Sequence, residues 1–396
     1  MGESLHTVTA LPTARQHGCP FDPPQELREA RRHGPISRFT HPGGRPGWLV
    51  TGYDLVRSVL ADPRFSARKE LINVGDFEVP PAPPGEFLLM DEPRHGRYRK
   101  PLMGKFTVRR MRQLTERVEQ ITAAQLDAMA KAGPPTDLVT AFAKPIPSII
   151  ICELLGVPYE DRDSFQDQID TFLSGEPDEE KLIAAYTATQ QYLAELVAAK
   201  RAHPTDDVLS DLTDSDLTNE ELQGMALILL AAGFDTTANM LALGTFALLQ
   251  HPAQLARLRA EPDLTDRAVE ELLRYLTVAK SFMRTALVDI DLGGRTIEAG
   301  TTVVLSYHTA NHDPDRFADP HVLDLDRQTG GHLAFGHGIH QCLGQQLARV
   351  EMRVAFPALF DRFPTLRLAV PADEVDLRPE LADIYGVRSL PVTWDG

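Results

Sequence analysis

The chain has 396 residues, 43% of them hydrophobic, and a formal net charge of −16. This length and apolar content suffice for a large core, and the negative charge disfavours nucleic acid or an anionic membrane surface as the main partner. The first twenty residues lack the pattern of a signal or transit peptide, and the three cysteines, Cys19, Cys152 and Cys342, are too far apart for a disulfide framework. We therefore expect a globular, cytoplasmic protein.

The pattern along the chain predicts many helices and few strands. Two alternating runs about a Pro/Gly turn predict a hairpin over residues 35–53, followed by a short helix. Residues 288–307 predict further short strands, so we expect two small sheets. Apolar residues at helical spacing predict helices over residues 110–131, 146–156, 160–173, 179–202, 219–250, 265–276 and 343–363. The chain lacks repeats and long linkers, which indicates one mainly α-helical unit with small β-sheets over residues 1–396, of which residues 1–20 are expected to be flexible.

The longest predicted helix, over residues 219–250, is apolar enough to be taken for a membrane span. Its start carries a capping-box pattern in Thr218 and Glu221, and Pro252 marks its end. Asp235 lies near its centre, where an ionisable group costs roughly 2.5 to 3.5 kcal/mol in a bilayer. Neither flank is a cluster of Lys and Arg. We therefore predict a core helix about 50 Å long, at about 1.5 Å per residue.

A glycine-rich loop, HLAFGHGIHQCLGQQLARVEM over residues 332–352, concentrates potential ligands just before a predicted helix. It contains His332, His337, His340 and Cys342. Imidazole and thiolate groups suit zinc or another transition metal, but the loop lacks the paired spacing of structural zinc sites. A nucleophilic cysteine with a histidine base is a second hypothesis, and a structural cysteine beside surface histidines is a third.

A wider pattern in this loop, F-x-x-G-x-x-x-C-x-G, is formed by Phe335, Gly338, Cys342 and Gly344. A thiolate at the start of a helix is stabilised by the helix dipole and by free backbone amides. Together with Gly336, the two glycines would let a flat partner approach the backbone closely. The loop resembles the haem-binding loop of the cytochrome P450 family, in which a cysteine thiolate ligates haem iron.

The resemblance implies a haem b cofactor with Cys342 as the axial ligand of its iron. It also implies that Phe335 packs against the ring near the sulfur and that His340 meets a haem propionate.

A basic stretch over residues 94–112 contains eight Lys and Arg and no acid in an otherwise acidic chain. A solvated helix face or a nucleic-acid patch would explain such a stretch. Its HGRYR segment, however, resembles the H-x-x-x-R of the family, which implies that His95 and Arg99 hold propionates. Arg284 is expected to do the same from a strand. The remaining cations are expected to dock an acidic electron carrier.

A second motif of the family is E-x-x-R, which Glu271 and Arg274 resemble on one face of the helix over residues 265–276. The resemblance implies a buried ion pair that holds the segment before the haem loop. The stretch NHDPDRFADP, residues 311–320, resembles that segment. His312 stands where the family usually has an arginine, which leaves the partners of the ion pair open.

The third motif lies in the long helix, where AGFDTT over residues 232–237 resembles the oxygen-activating segment of the family. A carboxylate and a hydroxyl can relay the protons that cleavage of dioxygen requires, so Asp235 and Thr236 are the candidate catalytic residues. Gly233 is expected to let the helix open locally. The alternative for the threonine is a hydrogen bond to the preceding turn of an ordinary core helix.

The resemblance covers almost the whole chain and is closest to the soluble actinomycete members. It implies a monomeric monooxygenase that inserts one oxygen atom of O2 into a C–H bond of an apolar small molecule, in the tailoring of a secondary metabolite. Ferredoxin and its NAD(P)H-dependent reductase would supply electrons. The alternatives are a cross-linking or peroxide-using member of the same fold and a non-enzymatic haem or gas-binding protein.

The expected substrate pocket draws on several separate segments, including residues 84–91 and 165–180. Its candidate lining residues are mostly apolar and comprise Leu89, Leu230, Ala231, Lys280, Ser281, Phe282, Ile384 and Tyr385.

Overall fold

The computed structural model describes residues 7–8, 12–13, 20–106, 108–162, 168, 171, 178–379, 382 and 384–395. Helices account for most of these residues and are numbered here in chain order. They are α1 (Gln25–His33), α2 (Tyr53–Ala61), α3 (Arg94–Met103), α4 (Val108–Ala132), α5 (Pro145–Leu155), α6 (Glu179–Ala202), α7 (Val208–Thr213), α8 (Asn219–Gln250), α9 (Pro252–Ala260), α10 (Thr265–Leu276), α11 (Tyr307–Asn311) and α12 (Gln345–Arg362).

The strands are short. They are β1 (Thr7–Val8), β2 (Ile36–Thr40), β3 (Pro46–Val50), β4 (Phe65–Ser66), β5 (Thr136–Asp137), β6 (Ser281–Ala286), β7 (Ile290–Leu292), β8 (Arg295–Ile297), β9 (Thr302–Ser306), β10 (Arg367–Leu368), β11 (Asp376–Leu377), β12 (Val387–Ser389) and β13 (Pro391–Thr393).

Of the strands in the two predicted β regions, β2, β3 and β9 belong to one six-stranded sheet, in the order β1-β2-β3-β9-β6-β4, whereas β7 and β8 pair in a separate two-stranded sheet. The hairpin β2–β3 joins β9 through a parallel pairing of β3 and β9, in which Trp48 lies opposite Val303. Alternation along each run cannot show a pairing between segments so far apart in sequence, so the expectation that the two regions form separate sheets was wrong for β9. β1 pairs with β2, so Thr7 and Val8 of the segment expected to be flexible belong to this sheet.

The predicted helices agree closely with α4, α5, α6, α8, α10 and α12. The prediction over residues 160–173 falls mostly outside the described residues. The short helices α1, α7, α9 and α11 were missed, because a helix of two or three turns shows too few periods for its spacing to be recognised. Pro252 follows the end of α8 and is also the first residue of α9, where its fixed backbone angle suits a helix start.

Helix α8 is the axis of the main core and packs against α5, α6 and α12. Thr218 and Glu221 form the predicted capping box at its start. Among the described residues, α8 is the helix that is long and apolar enough to cross a membrane, but more than half of its most apolar stretch is buried inside the protein. Its apolar composition therefore reflects burial in the core, as expected from the sequence.

The local opening of α8 expected at Gly233 is not present, since the helix is continuous from Asn219 to Gln250. A Cβ atom at Gly233 would lie 3.1 Å from Cδ1 of Ile151 on α5. The glycine therefore allows close packing between the two helices.

Candidate site around Cys342

Cys342 lies between a 3-10 turn, Gly338–His340, and the start of α12. Its backbone N–H donates a hydrogen bond to the carbonyl of Phe335 at 2.9 Å, which closes the loop. Gly338 has φ 75°, and a Cβ atom there would lie 2.3 Å from the carbonyl oxygen of Leu60. Position 338 therefore requires glycine, because any side chain there would clash with the backbone of Leu60.

The other two glycines of the loop differ from Gly338. Gly336 has a positive φ of 67°, which favours glycine. Gly344, at the start of α12, has φ −81°, and no atom lies within 4 Å of a Cβ built on it. Nothing in the described part of the chain requires a glycine at position 344.

The thiol of Cys342 is accessible and yet lies deep in the molecule. Burial raises its pKa, while the backbone amides of Gly344 and Gln345 and the charges of Arg99 and Arg349 act in the opposite direction. Because the thiol is accessible although its surroundings are buried, it borders an internal space of the protein. The amides at the start of α12 and the two guanidinium groups favour the thiolate, but burial outweighs them.

A group of cations and imidazoles lies next to this loop. The rings of His95 and His340 have centroids 4.3 Å apart. Arg99 donates a hydrogen bond to the carbonyl of Gln341, and Arg284 donates one to the carbonyl of Met283 at 2.8 Å. Neither arginine forms an ion pair with a carboxylate among the described residues.

Several polar atoms of this group have no hydrogen-bond partner in the described part of the chain. They are both ring nitrogens of His95 and Nδ1 of His340. The nearest carboxylate oxygen, Oε1 of Glu92, lies 3.6 Å from Nδ1 of His95, too far for a hydrogen bond. Desolvation lowers the pKa of Arg99 and of Arg284, and together with the neighbouring cations it lowers the pKa of His340 to about 3. This donor set suits an anionic ligand with carboxylates.

On α8, Asp235 forms an ion pair with Arg378, a partner that the sequence did not indicate. Nη1 of Arg378 lies 2.7 and 2.8 Å from its two carboxylate oxygens, and Nδ2 of Asn239 donates to Oδ1 at 3.0 Å. Burial raises the pKa of Asp235 above its ordinary value, and the charge of Arg378 opposes this shift. Asp235 is thus a half-buried carboxylate held by a single guanidinium.

Thr236 makes the hydrogen bond of an ordinary core threonine, from Oγ1 to the carbonyl of Ala232 at 2.8 Å. Ala232 is exposed although α8 runs through the core. The segment around it therefore borders an internal space, and the hydroxyl of Thr236 keeps its lone pairs for other donors.

Glu271 and Arg274 form the buried ion pair expected on α10. Nε and Nη2 of Arg274 lie 2.7 and 2.8 Å from the two oxygens of Glu271, and both side chains are 0% exposed. The further partner of this ion pair, which the sequence left open, is Arg327, whose Nε lies 3.1 Å from Oε1 of Glu271. His312 takes no part in the ion pair; it hydrogen-bonds to the carbonyl of His308 at 3.0 Å.

One arginine missed by the sequence reasoning supports the loop from α12. Arg349 lies over the ring of Phe335, with its central carbon 4.6 Å from the ring centroid. Its Nε also lies 2.5 Å from Oε1 of Glu270, whose other oxygen lies 3.1 Å from Nε2 of His332. Arg349 lies seven residues after Cys342, in the second turn of α12, and this short spacing was visible in the sequence. Arg378 and Arg327 carried no such local signal.

A cavity of about 640 Å³ lies between the end of α2, the segment before α3 and the Cys342 loop. It is lined by three of the residues predicted to serve the site, Leu89, Arg284 and His340.

The other predicted pocket residues lie elsewhere. Leu230 is buried in the main core, and Tyr385 is buried with its hydroxyl donating to the carbonyl of Pro20 at 2.7 Å, so neither offers much surface to a cavity. Phe282 packs against Tyr307, with ring centroids 5.1 Å apart. The half-buried residues among them are Ala231, Lys280, Ser281, Phe282 and Ile384.

Comparison with known proteins gives one consistent result. The sequence model described as Cytochrome P450 matches residues 179–367. Cytochrome P450 105C1 of a Streptomyces species is 49% identical over 94% of this chain and 96% of its own length. Pentalenic acid synthase of Streptomyces avermitilis is 44% identical over 99% of both. The crystal structure of CYP105P1 in complex with filipin I superposes with a TM-score of 0.90 at 42% identity, covering 98% of this chain and 99% of the other.

Proposed function

This chain belongs to the cytochrome P450 family of monooxygenases, and on that basis we propose that it inserts one oxygen atom of O2 into a C–H bond of an apolar small molecule, with haem b held by Cys342. The observation that carries this proposal is the pairing of an accessible thiol at the start of α12 with buried, unpartnered donors beside it. Haem presents an iron that a thiolate can ligate and two carboxylates that cations and imidazoles can hold.

The residues of the site fit this cofactor. Cys342 supplies the thiolate, and the amides at the start of α12 hold the sulfur in place. Arg99 and Arg284 are cations without a carboxylate partner among the described residues, and His95 and His340 offer ring nitrogens for hydrogen bonds. Without a partner such buried donors are costly, and two carboxylates would satisfy them. Phe335, held under Arg349, is proposed to shield the sulfur from water.

The bound haem iron supplies the electron transfer to O2 that no side chain can provide. We assign proton delivery to Asp235 and Thr236. While it is paired with Arg378, Asp235 is a carboxylate; once it leaves Arg378 it can take up a proton from water, which burial favours by raising its pKa, and pass that proton on. Thr236 accepts at its lone pairs while Oγ1 donates to Ala232. Arg378 is thus a positioning residue for the acid.

The substrate is proposed to be an apolar secondary metabolite. Two relatives carry names that point in this direction, one a synthase of pentalenic acid and the other crystallised with filipin I. A screen of such compounds for a shift of the Soret band on binding would identify the class.

Electrons are proposed to come from a ferredoxin and its NAD(P)H-dependent reductase, in the cytoplasm and with the enzyme as a monomer. Part of the basic stretch is already used inside the chain, because Arg97 pairs with Asp216 and Glu221, and Lys105 pairs with Asp211. Lys100 is exposed. The side chains of residues 109, 110 and 112 lie outside the described residues.

The docking surface is tested by charge reversal. With ferredoxin limiting, turnover should fall steeply with salt, and Lys100→Glu or Arg109→Glu should slow reduction while leaving substrate affinity unchanged. Arg388→Glu, an exposed cation on β12, is the matched control and should have no effect. Reduction that is independent of salt would refute this surface.

The proton relay separates a monooxygenase from a haem or gas-binding protein. Thr236→Ala should keep NAD(P)H consumption but divert its electrons to hydrogen peroxide, because the hydroxyl that guides the proton is gone. Asp235→Asn should slow the whole cycle, since an amide does not pass protons at a useful rate. Product and peroxide per NAD(P)H are the quantities to measure. If both variants keep the rate and coupling of the wild type, the assignment is wrong, and a peroxide-using member becomes the better explanation.

A further inference from the structure

A second group of potential metal ligands lies apart from the Cys342 loop. Asp22, from the segment before α1, meets His312 at the end of α11 and His321 in the segment that follows it. Each residue offers one ligand atom, and these atoms lie within 4.8 Å of one another. Two regions distant in sequence thus bring a carboxylate and two imidazoles together.

His312 is oriented as metal-binding histidines are. Its Nδ1 lies 3.0 Å from the carbonyl oxygen of His308, so this nitrogen carries the proton and donates it. Its Nε2 is therefore the nitrogen with a free lone pair. Ligating histidines typically donate their other ring N–H to a backbone carbonyl or a carboxylate, which fixes the ring.

Nε2 of His312 has no hydrogen-bond partner among the described residues, and the residue is only 3% exposed. A buried polar atom without a partner is costly.

Asp22 and His321 complete the group at the protein surface. Oδ1 of Asp22 lies 3.0 Å from Nδ1 of His321, and the rings of His312 and His321 have centroids 5.4 Å apart. Two ligands of one tetrahedral zinc ion are about 3.4 Å apart, given bonds of about 2.1 Å. Oδ2 of Asp22 accepts from Arg28 at 3.3 Å, which fixes the carboxylate and leaves Oδ1 toward the histidines. The side chain of His321 is 41% exposed, so an ion can enter from solution.

An ordinary hydrogen bond between Asp22 and His321 explains only part of this arrangement. It gives those two side chains partners but leaves Nε2 of His312 unsatisfied. A metal ion would satisfy all three groups after a contraction of up to about 1.4 Å, which the exposed side chain of His321 can supply.

We propose that Asp22, His312 and His321 bind one divalent transition-metal ion of the zinc class, with solvent completing its coordination. Two imidazoles and one carboxylate are a ligand set that suits zinc and its neighbours rather than calcium or magnesium. The ion would tie the segment before α1 to the segment that carries Arg327. Its role is structural and separate from the chemistry at Cys342.

The test uses the haem-loaded enzyme, so that the Cys342 site is not available to the added ion. After treatment with a chelator, the protein is dialysed against Zn²⁺, and bound zinc and iron are counted by elemental analysis. We expect one zinc per chain and a melting temperature that rises with zinc concentration, because the ion binds only the folded state. His321→Ala and Asp22→Asn should each weaken binding by more than the roughly 10- to 100-fold that loss of an outer-sphere partner costs.

The matched control is His203→Ala, which removes an exposed histidine at the end of α6. It should retain the zinc and the thermal shift. Since His321 is largely at the surface, its variant should fold and keep its haem spectrum, which makes the comparison valid even if a His312→Gln variant fails to fold. Absence of stoichiometric zinc in the wild type, or unchanged binding in His321→Ala, would overturn the proposal.

Discussion

Two buried groups of charge in this protein are built in opposite ways. Around Glu271, each charge has a partner within the chain, since Arg274 and Arg327 bind both oxygens of the carboxylate. Around the Cys342 loop, Arg99 and Arg284 have no carboxylate partner among the described residues. The first group lies on α10 and the segment after α11, and the second lies between α3, β6 and the loop.

The difference shows how a structural network can be distinguished from a ligand site. Burial of a charge costs free energy in both groups. In the first, the cost is offset by hydrogen bonds inside the chain, so the network needs nothing else. In the second, His95 and His340 retain ring nitrogens without partners, and a ligand must offset the cost. The following predictions test this contrast.

The largest effect is expected at Glu271. Glu271→Gln leaves Arg274 as a buried charge without a counter-ion, and breaking such a pair typically costs about 3 to 5 kcal/mol. The yield of soluble protein and the melting temperature should both fall sharply. Asp326→Asn, which removes an exposed carboxylate paired with Arg257, is the control and should change neither. A Glu271→Gln variant as stable as the wild type would remove the contrast between the two groups.

The second effect concerns the retention of haem. Arg284→Ala removes a buried cation that the chain does not pair, so the yield of folded protein should stay near that of the wild type while the haem content per chain falls. The pyridine haemochrome assay, normalised to protein, measures this ratio. Arg388→Ala, an exposed cation on β12, is the control. Full haem occupancy in Arg284→Ala would show that this arginine does not hold the cofactor.

The third effect is a pH dependence at Glu351 on α12, a buried carboxyl whose Oε2 has no partner among the described residues. Burial raises the pKa of Glu351 from an ordinary 4.5 to about 8. The folded state then keeps a proton that the unfolded state releases in this window. Stability should therefore be full below about pH 4.5 and decline as the pH rises toward 8, by at most about 1.4 kcal/mol per pH unit.

Glu351→Gln should remove this decline. The variant and the wild type should have similar melting temperatures at pH 5, and the variant should be the more stable at pH 8. Parallel melting curves over the whole range would show that Glu351 ionises normally. Replacing glutamate by glutamine should therefore destabilise the protein at Glu271 and, at high pH, stabilise it at Glu351.

Features encoded by neighbouring residues could be predicted from the sequence. The capping box of Thr218 and Glu221 and the i, i+3 spacing of Glu271 and Arg274 are local signals, and the structure contains both. The glycine pattern around Cys342 marked the loop, although only Gly336 and Gly338 have the positive φ that favours glycine.

Features that depend on distant segments could not be predicted. Arg327 completes the ion-pair network from a loop 56 residues beyond Glu271, and Arg378 reaches Asp235 from 143 residues away. The pairing of β3 with β9 is of the same kind. No periodicity or spacing encodes such contacts, because they arise only when the helices and strands pack. The roles assigned to the haem and relay residues stay predictions until they are measured.

The most direct test of the account is the identity of the iron ligand. The dithionite-reduced carbon monoxide complex of the wild type should show the strongly red-shifted Soret band of a thiolate-ligated haem. Cys342→His should lose that band, because imidazole donates less charge than thiolate. Cys152→Ser, which alters a buried cysteine in α5, should keep it. Persistence of the band in Cys342→His, or its loss in Cys152→Ser alone, would contradict the assignment of Cys342.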